Sequence, residues 1–335
     1  MQIFTRIESF SPDPQAPLFL GLGNFDGVHR GHRRLLDRVR EEAASRKGRA
    51  AVFTFQEHPQ GILHPQSRPL LLTSSEARLS LFRGLGIEIC FFIPFTEEFS
   101  RIEPEAFVRD VLKIKLGVKK VFLGASARFG YQRRGDSKLM ACLAGECGFE
   151  FEEIPPVEAE GGIVSSSRIR GLVQEGRFEE AGKCLGRPFS LTAKVVRGEG
   201  RGKLLGYPTA NLEIGPSVLP PFGVYPVQVR VLSPAVISTS SERNEEKSPR
   251  NNIQLTGVLN YGRRPTFKSG QPEPVLEIFI LDFSEDLYGK TLEVVFYPRL
   301  REEMAFDGPE SLKKQIAQDV ERARQAFASG LPALK

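Results

Sequence analysis

The feature that most constrains the fold is a change of pattern near residue 185. Before it, apolar runs alternate with amphipathic segments. "APLFLGLG", "RAAVFTF", "IEICFFIPF" and "VKKVFLG" read as buried strands. Helical periodicity follows each, over Gly31 to Ser45, Ser74 to Leu85, Glu103 to Leu112 and Asp136 to Gly145. Continuous apolar strands separated by helices predict a parallel sheet covered on both faces, with its ligand at the carboxyl ends of the strands. From Pro188 onward the pattern becomes "FSLTAKVV", "VYPVQVRVL", "IQLTGVLN", "VLEIFILDF" and "TLEVVFY", short strands divided by glycine, proline and polar turns. Helical period returns only over Pro309 to Ala328. The expectation is an α/β domain over residues 1–185 and an antiparallel β-barrel with a terminal helix over 186–335. A helix in "SRIRGLVQEGRFEEAGKCLGRP" forms the junction, and Ser238 to Asn252 is an exposed loop between strands.

A chain of 335 residues that is 40% hydrophobic can bury two such cores. It contains no run approaching the roughly 20 apolar residues of a membrane span. The first 17 residues carry no apolar signal core, and Cys90, Cys142, Cys147 and Cys184 lack paired metal spacing, so the expectation is a cytoplasmic protein with reduced thiols. The formal charge is +5, acidic residues are interleaved with basic ones, and tryptophan is absent. That excludes the dense basic, aromatic-lined stripe of a nucleic-acid binder and leaves small phosphorylated molecules as the expected partners.

The stretch "LFLGLGNFDGVHRGHRRLL" ends a strand in glycines and opens a helix. It is no ordinary dinucleotide loop, because Asp26 stands where the third glycine of G-x-G-x-x-G belongs. His29 and His32, three residues apart, share one face of the first helical turn. Free N–H groups and the positive end of the helix dipole favour phosphate there, and Gly27 and Gly31 would admit a bulky ligand. Imidazoles at that place suit a phosphorus centre losing pyrophosphate. Zinc completed by His58 or a carboxylate, two merely exposed histidines, and a degenerate dinucleotide fingerprint are the alternatives. In "GGIVSSSRIRG", Ser165 to Ser167 and then Arg168 and Arg170 stand at a helix start and form a candidate second phosphate clamp.

In the second half, "RGEGRGKLLGYPTANL" fails as a Walker A loop through its first glycine and Leu204. It remains a glycine-rich phosphate loop with Arg201, Gly202, Lys203 and Gly206. Thr209 and Asn211 are neutral oxygen donors suited to Mg²⁺ beside nucleotide phosphates, or else part of a plain turn and strand. No histidine lies in this half, so a base for a hydroxyl would be a carboxylate. Glu277, interrupting the apolar "VLEIFILDF", is the candidate, with a solvent-facing strand position as the alternative.

G-x-F-D-G-x-H-x-G-H followed by S-S-S-x-I-R resembles the nucleotidylyltransferase superfamily. Together with "FTFQEHP", "PEAFVRDVL" and "EGRFEEAGKCLGRPFSL", it is similar to the FMN adenylyltransferase module of the bacterial bifunctional riboflavin kinase/FAD synthetase family. "LPPFGVY", "GVLNYGRRPTF", "LEIFILDFSEDLYGK" and "LREEMAF" resemble landmarks of that family's riboflavin kinase module. The resemblance implies a Rossmann-like domain, a six-stranded barrel, and two Mg²⁺-dependent, ATP-consuming steps: riboflavin to FMN, then FMN to FAD. It implies catalytic roles for His29, His32 and Glu277, the last acting on the ribityl 5′-hydroxyl. Nucleotide binding would fall to Gly23, Asn24, Asp26, Gly27, Ser165, Ser166, Arg168 and Arg170 in one site, and to Gly202, Lys203 and Gly206 in the other. Metal binding would fall to Thr209 and Asn211, and flavin contact to Ser126, Phe129 and Arg301. Two departures stand out: Ser126 and Ala127 replace the acidic or amide residue and aromatic usual before "RFG", and Glu57 replaces a proline. The first motivates an alternative, a riboflavin kinase with a weak or inactive adenylyltransferase half. A flavin-binding sensor is a further alternative.

Overall fold

The computed structural model describes residues 1–198, 202, 205–232, 254–264 and 273–330. Two compact units divide between Ser166 and Ser167.

The first unit holds six strands: β1 (Gln2–Phe4), β2 (Leu18–Leu22), β3 (Arg49–Phe55), β4 (Ile89–Ile93), β5 (Val118–Gly124) and β6 (Glu150–Ile154). They lie in the order β1-β4-β3-β2-β5-β6, and every pair is parallel. Strand alternation sends Leu20, Leu22, Phe53 and Phe91 to a core shared with Val108, Leu112 and Met140. Phe19, Val52 and Phe92 go to the opposite core, shared with Leu35, Leu36, Val39 and Phe82. That is the doubly covered sheet the apolar runs predict. The order in which strands are added across the sheet reverses between β2 and β5, so the crevice at their carboxyl ends is the topological switch point. Gly21 has a packing reason: a Cβ there would meet Leu35 Cδ2 at 2.7 Å, so its absence lets the helix Arg30–Ser45 lie close on β2. The helix expected over 103–112 is one turn, Pro104–Ala106, widening into a π-helical stretch, Phe107–Lys115. A short hairpin, β7 (Glu158–Ala159) and β8 (Gly162–Ile163), precedes the serines.

In the second unit, β9 (Ser190–Val196), β10 (Ala210–Leu212), β11 (Gly223–Leu232), β12 (Gln254–Arg264), β13 (Glu273–Ile280) and β14 (Thr291–Phe296) close a barrel in the order β10-β13-β12-β11-β14-β9. All its pairs are antiparallel. Leu212, Leu259, Leu276, Ile278, Leu292 and Val294 are among its buried residues, and the helix Pro309–Ala328 follows. The junction is two helices, Ser166–Gln174 and Phe178–Leu185, parted at Gly176, whose φ of 75° favours glycine. The second helix belongs to the barrel's core: Phe178 lies against Phe189, Tyr225 and Phe296 with ring centroids 6.1, 5.9 and 5.8 Å away. The Ser238–Asn252 loop falls outside the described residues, as do Arg201 and Lys203.

Candidate functional site

At the carboxyl end of β2, the chain turns through Phe25, Gly27 and Val28 with φ of 53°, 83° and 39°. A left-handed conformation at the β-branched Val28 is a strained arrangement of the kind found at functional turns. The turn delivers His29 to the N-cap of the helix Arg30–Ser45. Its Nδ1 accepts from the backbone N–H of His32 at 3.3 Å. An accepting Nδ1 carries no proton, so the proton of the neutral ring sits on Nε2. The His29 and His32 rings stack with centroids 3.6 Å apart and planes at 14°. His29 is only 6% exposed, so the surface-histidine alternative falls. Among the described residues no group of three His, Cys, Asp or Glu could hold a metal, so nothing supports the zinc alternative. A Cβ at Gly31 would come within 3.2 Å of the His29 ring, which gives that glycine a local reason as well.

Asp26 holds the turn from within. Its carboxylate is buried and accepts from the N–H groups of Leu72, at 3.0 and 3.2 Å, and Thr73, at 3.2 Å. The Thr73 hydroxyl donates to Asp26 at 3.3 Å and accepts from Gly27 N–H at 3.0 Å. Asp26 and Gly27 therefore brace the turn through these groups. The hydroxyl of Ser166 donates to the Asp26 carbonyl at 2.9 Å, which brings the serine motif to the histidine turn. Asn24 is exposed beside it, and Gly23 N–H donates to Phe53 O at 3.2 Å. Ser165 is half-buried. Arg168 and Arg170 are half-buried on the helix Ser166–Gln174, in the part grouped with the second unit.

Phe129 departs from expectation. It is a core residue, 8% exposed, against Phe107 at 6.1 Å, and its backbone pairs with Gly135. The exposed residues of that loop are Ser126 and Arg128, while Ala127 packs against the core beneath. Glu57 accepts from Phe95 N–H at 3.3 Å.

In the barrel, Asn211 on β10 is paired in register with Glu277 on β13, and Glu277 with Asn260 on β12. Directly opposed residues project to one side of a sheet, and the flanking Leu212, Leu276, Leu259 and Ile278 are buried. The three polar residues therefore form a row on the outer wall. Glycines press this row into place: a Cβ at Gly198 would collide with the Asn211 amide, and one at Gly202 would lie 2.8 Å from Thr209 Oγ1. A cleft of about 340 Å³ lies alongside, lined by Val196, Arg197, Gly198, Asn211, Leu212, Ile214, Pro274 and Val275. Gly206, with φ of 86°, makes the turn into Thr209. The sequence reading did not single out Asn260; its signal was a lone amide breaking "GVLNYG".

Arg301 continues this register, since it bridges Val224, the partner of Asn260 on β11, but its side chain is committed elsewhere. Its guanidinium forks onto the buried Asp319 of the terminal helix, with contacts of 2.8 to 3.0 Å, and Gln315 donates to the same carboxylate at 3.0 Å. It anchors the 299–303 segment to that helix. Beyond it, Glu303 accepts from Arg263 N–H at 2.7 Å.

A switch-point crevice with stacked histidines at a helix N-terminus, and a barrel with a hard-oxygen row beside a glycine turn, define two phosphoryl- or nucleotidyl-transfer units in one chain. Residues 11–168 match the FAD synthetase family, and residues 185–327 match the riboflavin kinase family. The bifunctional riboflavin kinase/FMN adenylyltransferase of Escherichia coli strain K12 is 33% identical over 334 residues, covering 99% of this chain and 100% of that protein. The protein of that name from Bacillus subtilis is 32% identical, covering 95% of each. A crystal structure from Streptococcus pneumoniae, described as a macrolide-efflux protein, superposes with a TM-score of 0.77 at 28% identity, covering 96% of this chain and 98% of that one. The chain belongs to the bifunctional riboflavin kinase/FMN adenylyltransferase family. Among the described residues no helix is long and apolar enough to cross a membrane.

Proposed function

We propose a division of labour for the two activities of this family, ATP-dependent phosphorylation of riboflavin to FMN and adenylylation of FMN to FAD with release of pyrophosphate. The first unit, matched over residues 11–168, carries adenylylation, and the second, matched over residues 185–327, carries phosphorylation. The boundary expected at 185 moves toward residue 166, because the helix Phe178–Leu185 packs on the barrel. The stacked pair His29 and His32, 3.6 Å apart at the carboxyl end of a parallel sheet, is the observation that supports the first assignment.

In adenylyl transfer, an FMN phosphate oxygen attacks the α-phosphorus of ATP and the bond to pyrophosphate breaks. Nε2 of His29 and the His32 imidazole donate to oxygens that gain charge, and the helix N-terminus adds its dipole. Asn24, Gly23, Ser165 and Ser166 bind nucleotide, and Arg168 and Arg170 act on the triphosphate side. Ser126 contacts the flavin.

In the kinase step, the Glu277 carboxylate takes the proton of the ribityl 5′-hydroxyl as that oxygen attacks the γ-phosphorus and ADP leaves. Asn260 orients that carboxylate from the neighbouring strand. Thr209 Oγ1 and the Asn211 amide oxygen are hard neutral donors that fit Mg²⁺, and the glycines that crowd them hold both in fixed positions. When bound, the ion neutralises phosphate charge. Gly202, Lys203 and Gly206 bind the nucleotide phosphates.

Chromatography of products from FMN, ATP and Mg²⁺, and separately from riboflavin, ATP and Mg²⁺, tests the assignment. FAD in the first and FMN in the second are expected. FMN without FAD would establish the alternative of an inactive adenylyltransferase half.

A further inference from the structure

Arg78 is a buried cation that the scheme above leaves without a task. It lies on the inward face of the helix Ser75–Gly84 with Leu79 and Phe82 and is only 7% exposed. Its Nη1 donates to the carbonyl of Asn24 at 2.9 Å, and its Nη2 to those of Phe55, at 2.6 Å, and Gln56, at 3.0 Å. The guanidinium carbon lies 5.0 Å from the centre of the Phe92 ring. Nε is buried and has no hydrogen-bond partner among the described residues.

Desolvation weakens this guanidinium's hold on its proton, and the charges of Asp26, Cys90 and Glu57 oppose that without reversing it. A packed apolar side chain in such a place is often as stable as a buried charge, or more so, so core stability alone does not account for an arginine here. Its contacts do. Asn24 and Phe55–Gln56 mark the carboxyl ends of the neighbouring strands β2 and β3, and Phe92 belongs to β4. The Asn24 carbonyl is held a second time by the Thr54 hydroxyl at 3.1 Å, while Asn24 itself remains exposed. A planar fork can hold three carbonyls at once; a lysine ammonium keeps the charge without that geometry.

We propose that Arg78 is a positioning residue for adenylyl transfer. By clamping the main chain at Asn24 and at Phe55–Gln56, it fixes the turn that leads to His29, without touching substrate. Donors fixed before reaction need no reorganisation as charge develops, and a displacement near 1 Å costs on the order of 100-fold in rate. The proposal rests on the assignment of FMN adenylylation to the first unit.

The test uses the full chain. Arg78→Lys is expected to lower kcat for FMN to FAD by about 10- to 100-fold, with the KM for FMN within about threefold and riboflavin phosphorylation within about twofold of wild type. Thr54→Val, which removes the other donor to the same carbonyl and leaves the charge in place, is expected to lower the same kcat several-fold, and it decides the matter if Arg78→Lys does not fold. Wild-type kcat in Arg78→Lys overturns the proposal, as does a loss confined to KM or a loss of both activities in step with thermal stability. If Arg78→Lys does not fold, wild-type kcat in Thr54→Val overturns it. A wild-type chain that makes no FAD refutes the underlying assignment instead, and the proposal falls with it.

Discussion

Asn211 and Glu277 face one another across β10 and β13 as a directly paired couple, and Asn260 extends the row onto β12. A three-residue strand thus carries a proposed metal ligand into line with the proposed base. This register makes the kinase assignment specific to individual side chains.

Glu277→Gln keeps size and polarity but cannot take a proton. Riboflavin phosphorylation is expected to fall by about 10²–10⁴-fold, with adenylylation of supplied FMN unchanged, as measured by separate product assays on one preparation. Equal rates in variant and wild type would remove Glu277 as the base.

Gly198→Ala places a Cβ against the Asn211 amide. The barrel should stay folded while the kinase rate drops about tenfold or more, since the ligand must shift. Steady-state phosphorylation alongside a thermal melt checks this, and full kinase activity would detach Asn211 from the reaction.

Phe178→Ala removes a ring that three barrel aromatics pack against. The second unit should lose roughly 3–5 kcal/mol, the range for burying a void of that size. Kinase activity should therefore be inactivated at lower temperature than in wild type. An unchanged inactivation profile would mean that the helix Phe178–Leu185 is not part of the barrel's stable core.

Acid should loosen the first unit through Glu152. Arg38 donates to its carboxylate at 2.9 and 3.1 Å and Lys120 lies 2.8 Å away, which holds the carboxyl below its ordinary range. A lowered value stabilises the fold above the unfolded value near 4.3, and that contribution disappears as pH falls through the lowered value. Glu152→Gln should cost about 1 kcal/mol or less at neutral pH, with the difference from wild type closing as pH drops from about 5 to 3. Urea unfolding at several pH values measures it, and a gap independent of pH would contradict it.

Much of this was legible before the structure. Buried parallel strands announce themselves as apolar runs, so β2 to β5 were readable, as was the helix Pro309–Ala328. The strands that escaped are those without such a signal: β1 is three residues at an edge, β6 reads "EFEEI" because its charges meet Arg38, Arg46 and Lys120, and β7 and β8 have two residues each. His29 and His32 were legible because spacing alone puts them on one helical face. Burial and long-range partners are not encoded in spacing. Nothing local distinguishes a flavin-facing Phe129 from one sunk against Phe107, or a ligand-binding Arg301 from one committed to Asp319, 18 residues away. Arg78 hides for the same reason, as an ordinary helix arginine until its three carbonyls are seen.

The most direct measurement of the central claim, two separate phosphorus-transfer sites in one chain, is a complementation assay with His29→Ala and Glu277→Gln. His29→Ala should lose about 2.7–4 kcal/mol of transition-state stabilisation and about 1 kcal/mol of helix capping. It should make FMN from riboflavin and almost no FAD, while Glu277→Gln makes FAD only from supplied FMN. Mixed, the two should convert riboflavin through free FMN to FAD. If either variant, folded by thermal melt, loses both reactions, the two-site account is contradicted.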